Sequence, residues 1–289
     1  ASAPASKENV HGNFNAGHNE FIYDSVTKIV MENRDSEMYQ VLYVNGIQKQ
    51  AQRFDITIGI KNAQTWLYWK YYNVYELPLS YYHFLNAWAT SPGYEFRYDQ
   101  PYFKRLISRE CFECHSSHIN IKSDVAIPEG EQFNSEEVLQ SMDKGSLIYG
   151  IDCQRCHGPA ANHVNYHEAY PEEKKAKYIV TSKSLNAQQK MDMCAVCHSG
   201  NDKEKLKSLF YFRPGDTLSN FILQMPGNKK TTGFDVHGNQ QSLLSESECF
   251  IKSKKMDCSS CHKPHENAGN NLAVYSQKCM GCHTEAGNN

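Results

Sequence analysis

Ten of the 11 cysteines form five pairs with identical spacing, and each pair is followed at once by a histidine. The five Cys-x-x-Cys-His motifs are Cys111, Cys114 and His115; Cys153, Cys156 and His157; Cys194, Cys197 and His198; Cys258, Cys261 and His262; and Cys279, Cys282 and His283. This is the attachment pattern of c-type haem. Two thiols three positions apart can bond to both vinyl groups of one porphyrin, while the adjacent imidazole binds the iron on its proximal side. The sequence therefore predicts five covalently bound haems as cofactors.

Two other uses of Cys-x-x-Cys explain these motifs less well. Zinc ribbons combine two pairs in one tetrahedral site, but five pairs cannot combine two by two, and zinc needs no histidine after each second cysteine. A disulfide within a pair would close almost no loop and would leave the five histidines unexplained. Cys249 is the cysteine outside the motifs, and we expect it to be a buried thiol.

Histidines outside the motifs are numerous enough to give every iron a second axial ligand. They are His11, His18, His83, His118, His163, His167, His237 and His265. His118 and His265 each follow a proximal histidine by three residues, so they are displaced from their own haem and can reach a neighbouring one. His163 and His237 are in turn-rich segments that can fold over another haem.

The other four histidines outside the motifs are weaker ligand candidates. We include His18 and His83 among the predicted metal ligands, whereas a surface or hydrogen-bonded role is the alternative for these two and for His11 and His167. Ligation by two histidines predicts irons of low potential, because the Met/His pairing that raises the potential is not used.

Composition and charge limit the possible partners and location. The chain of 289 residues has a formal net charge of -2 and shows no sign of nucleic-acid binding. Haem propionates add negative charge and so favour basic redox partners. The sequence lacks a run of 18 apolar residues, which argues against an integral membrane span. Residues 1–20 lack the apolar core of a signal peptide. Because haem c is attached outside the bacterial cytoplasmic membrane, we expect an exported, periplasmic or extracellular protein whose signal peptide has been removed.

The segment before the first motif is predicted to be β structure. Tyr39, Val41 and Tyr43 occupy alternate positions ahead of Asn45-Gly46, a strong hairpin signal. Alternation continues through residues 54–60, and aromatic-rich strands are predicted at 65–72 and 74–77. We expect the many aromatic side chains to pack in a core or at haem edges.

From residue 109 onward, the chain offers about 36 residues for each motif. So short a stretch cannot build an ordinary apolar core, and the porphyrins themselves are expected to form it. Helices are predicted at 135–143, at 187–198 after Asn186, and at 240–252 after Asn239.

The predicted fold class is α+β, with a small antiparallel β-rich N-terminal region followed by a multihaem domain. In that domain, short helices and irregular loops wrap around closely packed haems. The expected divisions are a mobile N-terminal arm at 1–20, a β-rich domain at 21–108 and a pentahaem cytochrome c domain at 109–289. The arm should stay mobile or dock on another surface. Through His11 or His18 it could ligate a neighbour's haem, which would build an open filament.

Several segments resemble the multihaem cytochrome c family, which includes the tetrahaem electron carrier serving hydroxylamine oxidoreductase. The segments are GIDCQRCHGP at 150–159, LPLS at 77–80, WATSPGY at 88–94, DVHGNQ at 235–240 and CSSCHKPH at 258–265. The resemblance spans most of residues 40–289 and implies that His118, His163, His237 and His265 are distal ligands. Relatives often carry a further motif upstream of the β region, which implies that this chain is a processed or partial form.

Three functions are compatible with these features. The favoured one is an electron-transfer protein that exchanges electrons with redox partner proteins and other cytochromes, since histidines suffice for all irons and a Cys-x-x-Cys-Lys motif is absent from the sequence. A reductase or oxidase of a small nitrogen or sulfur compound would need one haem with an open distal side, where His83 or His167 could serve. The third is a homo-oligomer, the repeating subunit of an extracellular conductive filament.

Overall fold

The computed structural model describes residues 1–94, 100–200, 203–224, 239–253, 256–266 and 271–283. The chain divides into two compact units, Ala1–Asp152 and Cys153–Asn289. The first haem motif therefore lies in the first unit and the other four lie in the second. The division at residues 20 and 108 stays a prediction.

The first unit is mainly antiparallel β structure. Its strands are β1 Ser2–Pro4, β2 Glu20–Ile22, β3 Thr27–Arg34, β4 Glu37–Val44, β5 Ile47–Arg53, β6 Ile56–Ile58, β7 Ala63–Lys70, β8 Asn73–Glu76, β9 Leu79–Tyr82, β10 Ala87–Thr90, β11 Arg105–Leu106, β12 Ser116–Ile121 and β13 Met142–Tyr149. Two short helices, α1 Arg109–His115 and α2 Ser135–Leu139, lie among the last strands. One sheet has the strand order β2-β3-β4-β5. A second sheet has the order β1-β6-β7-β8-β11, and in it β9 also pairs with β7 and β10 pairs with β9. Strands β12 and β13 form a separate two-stranded sheet.

The predicted hairpin at Asn45-Gly46 is confirmed. Both residues have positive φ, 52° and 73°, as the tight turn between antiparallel strands requires, and β4 and β5 pair on either side of it. Behind these strands lies an apolar core rich in aromatic rings. Its buried members include Ile29, Met31, Phe54, Trp66, Tyr68, Leu77, Tyr81 and Trp88.

The N-terminal segment is docked on the sheet of its own chain, one of the two outcomes expected for it. Strand β1 pairs with β6. The backbone N–H of His11 donates to Gln64 Oε1 at 2.7 Å, and the indole N–H of Trp88 donates to the carbonyl of Asn13 at 2.8 Å. A Cβ at Gly12 would lie 2.4 Å from Trp88 Cζ2, so the backbone approaches this ring as closely as only glycine permits.

The second unit is built from short helices. They are α3 Cys153–His157, α4 Ala161–Ala169, α5 Ala187–His198, α6 Gln240–Ser245, α7 Glu248–Ser253 and α8 Leu272–Met280, with 3-10 turns at Ser182–Ser184, Leu209–Tyr211, Leu218–Asn220 and Cys258–Ser260 and a small ladder of β14 Lys203–Lys205 with β15 Ile222–Gln224. A small core packs on α5, formed by Ala195, Val196, Leu209, Phe212, Leu218, Phe221 and Ile222. The predicted α+β class is confirmed.

The helix predictions were right where the capping signal was strong. Helix α5 occupies the whole predicted range, and Asn186 and Gln189 form a reciprocal capping box at its start. The prediction at 135–143 was too long, because α2 ends at Leu139 and the chain then enters β13, where Met142 is fully buried opposite Ile121. Pairing with β12 thus outweighs helix propensity there.

The prediction of one helix at 240–252 was wrong. Helix α6 ends at Ser245, and α7 begins at Glu248 after Ser247, whose hydroxyl accepts the backbone N–H of Phe250 at 3.2 Å as an N-cap. The expectation of a buried Cys249 was also wrong. This thiol is exposed, because no residue of the short helix α7 is buried.

Candidate haem-binding motifs and axial ligands

Each motif lies in a helical turn. Helix α1 ends at the histidine of the first motif, α3 spans the second motif, and α5 ends at the histidine of the third. The fourth motif begins in the 3-10 turn at Cys258, and the fifth begins near the end of α8. The amide of His262 donates to the carbonyl of Cys258 at 2.9 Å, and that of His283 donates to Cys279 at 3.0 Å. A helical turn brings side chains three and four positions apart to one face. The two thiols and the imidazole of a motif can therefore face one porphyrin.

The cysteine side chains fit covalent attachment to haem. All 11 cysteines lie within the described residues, and none of them is in a disulfide. Six motif cysteines are exposed and four are half-buried, the latter being Cys114, Cys194, Cys197 and Cys258. Thiols at such positions can reach the vinyl groups of a porphyrin placed beside the turn, so the donor set and its access both suit haem c.

A backbone oxygen and a side-chain amide oxygen orient two of the predicted proximal imidazoles. His157 Nδ1 lies 2.7 Å from the carbonyl oxygen of Val180, and His198 Nδ1 lies 3.2 Å from Gln240 Oε1. Since these oxygens can only accept, Nδ1 carries the proton and Nε2 keeps its lone pair. An imidazole held in this way is ready to bind a metal through Nε2, and the hydrogen bond increases its basicity.

His265, a predicted distal ligand, lies near His157, a predicted proximal ligand of the same unit. The ring centroids of His157 and His265 are 5.8 Å apart, and the ring planes differ by 17°. Two imidazoles that bind one metal from opposite sides have centroids roughly 6 Å apart, since each metal–nitrogen bond is about 2 Å long. The observed separation matches that arrangement. Sequence reasoning identified both histidines but could not say that they form a pair.

His163, another predicted distal ligand, lies on α4 with its ring anchored. Its Nδ1 donates to the carbonyl of Lys177 at 2.7 Å, which leaves Nε2 available as a ligand atom. One helical turn later, the ring centroid of His167 lies 4.7 Å away, with 58° between the ring planes. The roles of the Lys177 and Val180 carbonyls could not be predicted from sequence, because every residue carries such an oxygen.

Three other predicted ligands, His18, His83 and His118, belong to the first unit. The fourth, His237, is outside the described residues. His118 is on β12, where its Nε2 lies 2.9 Å from Asn120 Oδ1, so ligation through Nε2 would require this contact to break. His18 is exposed in a turn. The ring centroid of His83 lies 6.2 Å from that of His11. Burial lowers the pKa of His83, and the nearby His11 lowers it further, so His83 is held neutral.

The third and fourth motifs are brought together in the second unit. A hydrogen bond from the Cys194 thiol lowers the pKa of Cys258 to about 7, while the same bond and burial raise the pKa of Cys194. The amine of Lys190, on α5, lies 3.2 Å from the carboxylate of Asp257, which caps the turn of the fourth motif. These contacts join two motifs that are well separated along the chain.

Among the described residues, three or more His, Cys, Asp or Glu side chains nowhere cluster so as to hold a bare metal ion. In the same part of the chain, every helix is too short or too polar to span a membrane.

Comparison with known proteins gives little further information. Neither the protein-family models nor the curated protein sequences contain a match to this chain. Among solved structures, the chain is similar to the crystal structure of the outer cell wall cytochrome OcwA, with 15% sequence identity and a TM-score of 0.45. The match covers 78% of this chain and 50% of that one, so the chain spans about half of the cytochrome's length. The similarity is too low to carry an argument, and the proposal below rests on this chain's own residues.

Proposed function

We propose that the protein is a multihaem c-type cytochrome that transfers electrons along five covalently bound haems. The ten motif cysteines form the thioether bonds, and the five motif histidines are proximal ligands. His118, His163, His237 and His265 are the proposed distal ligands, with His83 as a further candidate, whereas His18, which is exposed in a turn, is left out of the set. The observation that carries the proposal is the opposed pair of His157 and His265, whose ring separation of 5.8 Å suits one iron bound from both sides.

The arrangement of this pair favours electron transfer over catalysis. When bound, haem supplies an iron that takes up and releases one electron. His157 and His265 would hold it from opposite sides, and Val180 keeps His157 in the tautomer that presents Nε2. Saturated axial positions leave no site for a substrate, whereas a reductase needs an open one. The pair therefore supports an electron-carrying role for the haem that it would hold.

The contact between the third and fourth motifs supports a chain of closely spaced haems. Cys194 and Cys258 are within hydrogen-bonding reach of one another, and each would carry a thioether bond to a different haem. Closely spaced haems exchange electrons readily, so we propose that these two are neighbours in the electron path. Export to the periplasm or cell surface, where haem c is attached, is part of the proposal, as are redox partner proteins and other cytochromes as electron donors and acceptors.

The catalytic and filament alternatives are weaker. His11, one of the two residues that suggested ligation of a neighbour's haem, lies beside His83 in its own chain, and its segment is held there by hydrogen bonds. Reduction of a small nitrogen or sulfur compound would require one five-coordinate iron.

The test is the spin state of the haem-loaded protein, produced in a bacterium that attaches haem c. Electron paramagnetic resonance of the oxidised protein and absorption spectroscopy of both redox states should show six-coordinate, low-spin iron throughout. A high-spin signal that increases when a small anion is removed would contradict the carrier and favour the reductase. The haem content of the same sample, measured after denaturation, serves as the control for complete loading.

A further inference from the structure

Helix α4 carries two histidines on one face, and only one of them has an anchored ring. His163 Nδ1 donates to the carbonyl of Lys177. In His167, Nε2 is buried and has no hydrogen-bond partner among the described residues. Buried polar atoms in proteins nearly always have a partner. A group bound in the haem-loaded protein would supply the partner that His167 Nε2 lacks among the described residues.

The separation of the two rings indicates how they would share a metal. Their centroids are 4.7 Å apart with 58° between the planes, whereas His157 and His265 are 5.8 Å apart. Adjacent positions on one metal place imidazole centroids roughly 4 to 5 Å apart, since each metal–nitrogen bond is about 2 Å long. Opposite positions require roughly 6 Å. The two α4 histidines can therefore approach one iron from the same side, but not from both sides.

A haem iron can bind only one of these two imidazoles at a time. The porphyrin nitrogens occupy the four positions around the iron, and the proximal histidine occupies a fifth. His163 is the better ligand for the sixth position on the iron, because the Lys177 carbonyl holds its Nδ1 proton and leaves Nε2 with its lone pair. The ring centroid of His167 lies 4.7 Å from that of His163, so a shift of α4 by about one helical turn would bring its Nε2 to the place that His163 Nε2 would leave.

We propose that His167 is a reserve axial ligand for the iron that His163 binds. This inference rests on the proposed haem function and on His163 being a distal ligand. In the exchange, the iron–nitrogen bond to His163 breaks and a bond to Nε2 of neutral His167 forms, with no change in oxidation state. The iron stays six-coordinate throughout its redox cycle even when His163 detaches, and in that state the buried nitrogen of His167 has the iron as its partner.

The test compares His163→Asn, His167→Ala and the double variant in the haem-loaded protein. Asparagine keeps a donor for the Lys177 carbonyl in the position of Nδ1, so the loop contact is preserved, and His163→Ala is the second version. For each protein, haem per chain is measured first, and the high-spin fraction is then measured by electron paramagnetic resonance. His163→Asn and His167→Ala should both remain low-spin, the former with altered g-values. The double variant should show about one fifth of its iron as high-spin, one haem in five.

Three results would each overturn a claim. If the wild type is low-spin and His163→Asn alone already shows the high-spin fraction of the double variant, His167 does not replace His163 and the reserve ligand is refuted, whereas the carrier stands. If all variants remain low-spin, neither histidine is the ligand, and this inference is also refuted. If the wild type lacks covalently bound haem, the proposed function itself fails.

Discussion

Replacing His265 with alanine should convert one haem from low-spin to high-spin. The expected magnitude follows from the pairing with His157. The chain has five motifs, and a single pair loses its distal imidazole, so about one fifth of the iron should lose its sixth ligand. The other four haems should keep their spectra. The assay is quantitative electron paramagnetic resonance of the oxidised protein, normalised to its haem content. Covalent attachment depends on the motif cysteines, so the variant should still carry five haems.

A matched control is His18→Ala. This histidine is exposed in a turn, so its loss should leave every spectrum unchanged, although it was a predicted ligand from the sequence. A high-spin fraction for His18→Ala would show that the exposed turn supplies a ligand after all. If His265→Ala stays entirely low-spin, His265 is not opposite His157 across an iron, and the argument from the 5.8 Å separation is refuted.

Three further predictions concern packing, capping and thiol acidity. Gly12→Ala should lower the free energy of unfolding by about 1–3 kcal/mol in denaturant titrations followed by circular dichroism, because the new Cβ would clash with Trp88; an unchanged midpoint would contradict the close packing. Asn186→Ala should cost about 1 kcal/mol in the same assay, whereas Asn186→Ser should cost less, because serine also caps; equal losses would contradict the capping role. In the haem-free chain, Cys258 should be alkylated at a lower pH than Cys194, since the hydrogen bond from Cys194 favours the Cys258 thiolate; an equal pH dependence for the two thiols would refute the contact.

Local signals in the sequence predicted local structure well. The Asn45-Gly46 hairpin and the Asn186-capped helix depend on a few neighbouring residues, whose backbone preferences act wherever they occur. The secondary-structure predictions failed where the local conformation depends on residues distant in sequence or on a single hydroxyl group. Met142 enters a strand because β12 lies beside it, and Ser247 divides the predicted helix by capping a new one.

The candidate site shows the same limit. Covalent attachment is encoded in the spacing of each motif, so the cysteines and proximal histidines could be predicted with their chemistry. The pairing of His157 with His265 depends on how the second unit folds, and spacing alone left the choice of iron open. Every residue has a backbone carbonyl, so nothing in the sequence indicated that those of Val180 and Lys177 hold histidine rings. Likewise, only the fold brings Cys194 to Cys258.

The central claim is that each of the five motifs binds one haem covalently. The most direct measurement is the number of haems per chain that survive acid-acetone extraction, determined as the pyridine haemochrome against protein concentration from amino-acid analysis. Extraction removes haem held only by axial ligands, so what remains is attached through cysteine. The account predicts five haems per chain, and a value of two or three would contradict it.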